Sequence, residues 1–124
     1  MLLIVVFTIL LLPLKGLAMG NNPKEIEQIK EDYANLNLAD GVSKEEALVI
    51  AQYFIINDSS ALSSNVNLGS GKIMESGLKN VIGDCWAVNF SAQSKFRRQT
   101  GLKWFDVHID KLTGKIKTTG WGPS

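Results

Sequence analysis

The sequence predicts a two-layer α+β domain, in which one main amphipathic helix covers an antiparallel sheet of about three or four strands and a short N-terminal helix precedes it. Two observations predict this class: apolar residues recur at helical spacing before residue 58, and they alternate with polar residues after residue 85. With 124 residues, 45% of them hydrophobic, the chain is long enough for one domain. We divide it into a signal segment at residues 1–20, an N-terminal helix with its linker at 21–41, and the α+β domain at 42–124.

The first segment has the composition of a secretory signal peptide. Residues 1–14 read MLLIVVFTILLLPL, with Thr8 as the only polar side chain, and this stretch is shorter than the ~20 residues that span a bilayer. A small-x-small pattern allows cleavage after Ala18 or after Gly20. Without cleavage the segment would be a short membrane anchor, and translation from Met19 would give a cytosolic protein. We expect a periplasmic or secreted protein.

Charge and cysteine content narrow the classes of function. Loss of residues 1–20 removes Lys15 and leaves 12 basic and 12 acidic residues, so nothing in the net charge draws the mature chain to nucleic acid or anionic lipid. Cys85 is the only cysteine, so the domain has no internal disulfide and depends on its hydrophobic core. One Cys and one His without clustered spacing do not indicate a metal site, and no motif indicates a cofactor.

Two helices are predicted before residue 58. The first begins at Pro23, a residue that suits a first helical turn, and ends near residue 35 or 37. The second opens with Ser43 and Glu46, which have the spacing of a capping box. Its broad apolar face indicates that it is the better buried of the two. That face comprises Ala47, Leu48, Ile50, Ala51, Phe54 and Ile55.

The rest of the chain predicts the sheet. Residues 58–72 are rich in Ser, Asn and Gly and are predicted to be a loop, with one short strand as an alternative within it, followed by an edge strand with a turn at Ser76-Gly77. Pairing Ile109 with Ile116 closes a hairpin in which Gly114 takes the left-handed position after a type I turn. Alternation places one apolar set on a common face of the sheet. This set is Trp86, Val88, Phe90, Phe105, Val107 and Ile109.

The order of these features resembles the PepSY domain, a small secreted module. The helix start matches an S-x-E-E-A motif, and the last hairpin matches V-x-V-D-x-x-T-G-x-I over residues 107–116. The matching positions are Ser43, Glu45, Glu46, Ala47, Val107, Ile109, Asp110, Thr113, Gly114 and Ile116. The extra N-terminal helix and the long basic segment between the two best strands depart from that pattern. Helices followed by a W-x-V strand and an I-x-x-x-x-G-K-I ending also resemble small bacterial immunity proteins of the nuclear-transport-factor-two-like fold.

Both resemblances imply binding rather than catalysis. The PepSY likeness implies an exported, non-enzymatic regulatory domain that restrains a peptidase or binds an envelope protein. The alternative likeness implies a protein that neutralises a toxin. We expect a monomer or a weakly associating domain with a protein partner.

The predicted binding surface is a basic hairpin tip between the two best strands. It comprises Lys95, Phe96, Arg97, Arg98, Lys103 and Trp104. Aromatic rings among cations can stack on bases, but a net charge near zero favours a solvent-exposed tip that binds a protein.

A thiol-dependent enzyme is the most distant alternative. Cys85 and His108 fall on the face of the sheet opposite the core, and a register with Val88 beside Phe105 would set them directly opposite each other. A thiolate–imidazole dyad needs that proximity. A histidine on an outer face is otherwise a solvated residue, and a lone cysteine a packing residue.

Overall fold

The computed structural model describes residues 21–58 and 60–123; the predicted signal segment, with both cleavage positions, lies outside them. Four strands form one antiparallel sheet in the order β1-β2-β3-β4, so the α+β class is confirmed. The helices are α1 (Pro23–Ala34), α2 (Lys44–Asp58), α3 (Ser60–Asn65), α4 (Lys79–Ile82) and α5 (Ser94–Thr100), with a 3-10 turn at Leu68–Ser70. The strands are β1 (Lys72–Glu75), β2 (Cys85–Ser91), β3 (Leu102–Asp110) and β4 (Ile116–Pro123).

Side-chain caps fix the starts of the two long helices. Asn22 caps α1 by accepting a hydrogen bond from the Lys24 amide at 2.7 Å. At α2 the predicted capping box is confirmed, since the Ser43 amide donates to Glu46 Oε1 at 2.8 Å and the Glu46 amide donates to Ser43 Oγ at 3.1 Å. Such reciprocal bonds satisfy amides that have no partner within the helix.

One hydrophobic core contains residues of α1, α2 and the apolar face of the sheet, and α2 contacts β1, β2 and β3. Its helical members include Ala47, Ala51 and Ile55, none of which is exposed. The predicted common face of the strands is confirmed, because Trp86 pairs with Ile109 and the next apolar residues follow in register. The remaining pairs are Val88 with Val107 and Phe90 with Phe105.

The terminal hairpin forms as predicted. Ile109 pairs with Ile116, and Gly114 has a φ of 78°, the left-handed region that disfavours a side chain. The Asp110 carboxylate accepts hydrogen bonds from the amides of Leu112 at 2.8 Å and Thr113 at 3.0 Å, so the turn is held by its own first residue.

The predicted loop at residues 58–72 is wrong, because this segment contains α3 and the 3-10 turn, and the short strand considered there is reduced to one isolated bridge. Val66 forms a bridge with Ala92, and both Val66 and Leu68 are buried. Val66 and Leu68, on either side of Asn67, therefore pack the Ser-rich segment against the core. The predicted edge strand is present as β1, and α4 follows the Ser76-Gly77 corner.

The extended tip predicted between the best strands is also wrong, because residues 94–100 form α5. The helix ends at Gly101, whose φ of 80° is left-handed and whose amide donates to the Arg97 carbonyl at 2.9 Å. Within α5, Thr100 Oγ1 donates to the Phe96 carbonyl at 2.8 Å. The Thr-Gly pair that favours a hairpin turn here ends a helix.

Candidate functional site

Four cations lie at the end of the sheet where α5 joins β2 to β3, and we call them the basic end. They are Lys95, Arg97, Arg98 and Lys103, all exposed. The sequence from Cys85 to Phe105 contains no Asp or Glu. Among residues 21–58 and 60–123, no carboxylate forms an ion pair with any of the four.

The two aromatic residues of the predicted surface lie on opposite faces of the sheet. Phe96 packs against Trp121, with ring centroids 4.7 Å apart, and Trp121 packs against the core residue Phe105 at 4.9 Å. Trp104 is on the other face, where its indole covers Gly122 so closely that a Cβ there would overlap the ring. Both rings are therefore packing residues, and the four cations remain as the exposed part of the predicted surface.

A cleft of about 610 Å³ separates α3 from α5 and opens beside the basic end. Lys95 and Arg98 line it together with hydroxyl and amide side chains, and its lining contains no carboxylate. The polar residues are Ser64, Asn65, Gln93, Ser94 and Gln99. The cleft extends the positive surface of the basic end with hydrogen-bonding groups.

Asn21 holds the segment beside this cleft. Its Nδ2 donates to the carbonyls of Ser63 at 2.8 Å and Val66 at 2.9 Å, and its Oδ1 accepts from the Leu68 amide at 3.0 Å. The sequence carried no signal for this contact, because the partners are more than 40 residues apart. Asn21 thus fixes the start of the described chain against the loop that follows α3.

Cys85 and His108 are not brought into a dyad. Their strands pair with Cys85 opposite Asp110 and Ala87 opposite His108, so the register that would set the two side chains face to face is wrong. The thiol is 1% exposed and lies 3.9 Å from the carbonyl oxygen of Ile82. Burial, and secondarily the charge of Asp110, raises the pKa of the Cys85 thiol, so the nucleophilic thiolate is disfavoured.

His108 instead contacts Ser76, a residue that sequence patterns assigned only to a turn. Its Nδ1 lies 2.8 Å from Ser76 Oγ, which also accepts a hydrogen bond from the Leu78 amide at 3.1 Å. Ser76 is buried. The pair therefore fastens the chain that follows β1 to the outer face of β3.

At the opposite end of β3, Lys111 joins several elements. Its ammonium forms ion pairs with Glu75 and with Asp84, the latter at 3.1 Å, and lies 4.3 Å from the centre of the Trp86 ring. The hydrogen bond to Glu75 raises the pKa of Lys111. Partial loss of hydration lowers this pKa, but by less. The Trp86 indole donates to the Val42 carbonyl at 2.8 Å. We call this group the hairpin end.

An aromatic cleft of about 470 Å³ lies between α2 and the β3–β4 hairpin, and we call it the tyrosine cleft. Tyr33 of α1 stacks on Tyr53 of α2, with centroids 3.8 Å apart and planes 3° from parallel. The complete lining is Tyr33, Ile50, Tyr53, Phe54, Asn57, Asp58, Gly114 and Ile116. Sequence patterns did not reveal this cleft, because three separate elements build it.

No group of three or more His, Cys, Asp or Glu residues that could hold a metal ion occurs in the described ranges. Within those same ranges, no helix has the length and hydrophobicity needed to cross a bilayer. Comparisons with models of protein families, with curated proteins and with solved structures give no match. The PepSY and immunity-protein resemblances therefore stay predictions.

Proposed function

We propose that this protein is a non-enzymatic binding domain whose basic end contacts an acidic surface of another protein. The observation that carries the proposal is the set of four exposed cations without a carboxylate partner in the described chain. A folded protein gains no stability from like charges held side by side, since their repulsion opposes the compact state. Clustering of this kind has a use when a partner supplies the opposite charge.

The distribution of charge favours a protein partner over a polyanion. Residues 59–123 contain nine Lys and Arg against four Asp and Glu, whereas residues 21–58 contain three Lys against eight Asp and Glu. The acidic half would repel an extended nucleic acid or an anionic membrane that reached beyond the basic end. A compact acidic patch on a protein can contact the four cations of the basic end without reaching the acidic half of the chain.

We also propose that binding takes place after export, in the periplasm or outside the cell, and that the partner is a peptidase or another envelope protein. Support for export is the apolar segment at residues 1–14 followed by small residues. The PepSY resemblance supports the choice of partner. The burial of Cys85, which raises the pKa of its thiol, supports a role without nucleophilic catalysis.

Capture of partners from the exported protein fraction tests the proposal. The variant Arg97→Glu/Arg98→Glu reverses two charges of the basic end and leaves Phe96 and Trp104 in place. The matched control, Lys72→Glu/Lys79→Glu, makes the same change in net charge at two exposed lysines on β1 and α4.

We expect the wild type and the control to capture the same protein, and the Arg97/Arg98 variant to lose it by at least about tenfold, because exposed interface charges act through attraction at the contact. Equal capture by all three proteins would contradict the proposal. Loss in both variants would show that net charge, rather than the basic end, governs binding.

A further inference from the structure

The tyrosine cleft has the shape and polarity of a site for a long side chain. Its lining is largely apolar, with Ile50 buried and Ile116, Tyr53 and Phe54 partly buried. A volume of about 470 Å³ holds several side-chain-sized groups and falls in the range of ligand pockets. Aromatic faces and aliphatic floors suit the stem of Arg or Lys, whose methylene groups prefer apolar surroundings.

One end of the tyrosine cleft carries a negative charge. Asp58 is the last residue of α2, and the last turn of that helix contains no basic residue. Asp58 is exposed, and no cation of the described residues pairs with it. A ligand cation at this position would gain a carboxylate partner.

A second, smaller lobe of the cleft carries the opposite charge. It has a volume of about 270 Å³, shares Tyr33, Ile50 and Gly114 with the first lobe, and is lined by Lys115 instead of Asp58. A cation bound in the cleft is therefore drawn toward Asp58 and away from Lys115. The aromatic ring faces add a further attraction, which is larger for the flat guanidinium group of Arg than for an ammonium group.

We propose that the tyrosine cleft binds a basic segment of a partner protein, with one Arg side chain against Tyr53 and Phe54 and its guanidinium group beside Asp58. Charge complementarity favours a basic occupant, because Asp58 is the one charged residue in the described lining of the cleft. The proposal does not depend on the basic end, because none of its four cations lines the tyrosine cleft.

Peptide titration followed by NMR tests this proposal. The probe is acetyl-Leu-Arg-Leu-amide, and acetyl-Leu-Glu-Leu-amide is its control. We expect the Arg peptide to shift the ring resonances of Tyr53 and Phe54 saturably, with a Kd on the order of 1 mM, a strength suited to one anchored side chain. We expect no saturable shift from the Glu peptide.

Two variants make the test specific. Asp58→Asn keeps the shape of the cleft and removes its charge, and should raise the Kd for the Arg peptide about fivefold. Asp40→Asn removes an exposed charge outside the tyrosine cleft and should leave the Kd unchanged. Since both replacements are isosteric and exposed, both variants should fold.

Three results would overturn the proposal: equal affinity for the two peptides, an unchanged Kd in Asp58→Asn, or shifts confined to residues outside the cleft. Concentration-dependent shifts at both the tyrosine cleft and the basic end without any peptide would identify a second copy of this chain as the occupant, and would also overturn it. Failure here leaves capture through the basic end intact, because that experiment changes Arg97 and Arg98 rather than Asp58.

Discussion

At the hairpin end of the sheet, Lys111 is held between Glu75 and Asp84 and beneath the ring of Trp86, whereas at the basic end Arg97 and Arg98 extend into solvent with no described carboxylate beside them. The first cation contacts Glu75 on β1, Asp84 before β2 and the Trp86 ring on β2. The second group links nothing within the described chain. The difference suggests that charge contributes to folding at one end and to recognition at the other.

The largest expected effect is at the hairpin end. Trp86→Ala removes the hydrogen bond to the Val42 carbonyl and the ring beside Lys111, and should lower the free energy of unfolding by about 3 kcal/mol, as large-to-small replacements of packed aromatic residues do. Urea denaturation measures this value. Trp86→Phe keeps a ring and loses the hydrogen bond, so its cost should be about 1 kcal/mol. If Trp86→Ala lowered the free energy of unfolding by less than about 1 kcal/mol, Trp86 would not stabilise the hairpin end.

A second prediction concerns how the basic end is supported. Asn21→Ala leaves the Leu68 amide without its hydrogen-bond partner. Because Leu68 is only 1% exposed, the change should lower the free energy of unfolding by about 2 kcal/mol. Asn80→Ala, an exposed change on α4, is the matched control and should be nearly neutral. If Asn21→Ala were as stable as the control, the loop beside α5 would be held by something other than Asn21.

A third prediction is pH-dependent and again concerns the hairpin. Amide hydrogen bonds from Thr113 and Leu112 lower the pKa of Asp110 below its ordinary value of 3.8. The carboxylate therefore stabilises the fold above that value, and its contribution is lost as the pH falls through the lower folded pKa.

Asp110→Asn keeps an oxygen acceptor without titrating, so the wild type should lose stability relative to this variant as the pH falls below about 5. Asp110→Ala should cost about 1 kcal/mol at neutral pH. Parallel pH profiles of the wild type and Asp110→Asn would contradict the assignment.

Local patterns predicted the parts of the fold whose causes are local. The Ser43–Glu46 box, the Gly114 turn and the alternation of β2 and β3 each depend on residues a few positions apart, and each is confirmed. The prediction for the segment before β1 was wrong because Val66 and Leu68 are buried against β2 and α2, and no local sequence pattern indicates these distant contacts.

The candidate sites divide in the same way. The cations of α5 are visible in the sequence, but the helix that carries them is short and its Thr-Gly end also favours a hairpin. The pairing of Val88 with Val107 rather than Phe105 depends on how many residues α5 takes up, so the positions of Cys85 and His108 could not be set in advance. The tyrosine cleft requires Tyr33, Tyr53 and Gly114 from three elements to meet.

The comparison between the two ends is tested most directly by removing cations from each and measuring unfolding in urea. Arg97→Gln/Arg98→Gln removes two charges of the basic end without adding any, and Lys111→Met keeps most of the Lys111 stem while removing its charge. We predict that the Arg97/Arg98 variant matches the wild type within about 0.5 kcal/mol, as surface changes without a partner do, and that Lys111→Met is less stable than both. A loss in the Arg97/Arg98 variant equal to or larger than that in Lys111→Met would contradict the account.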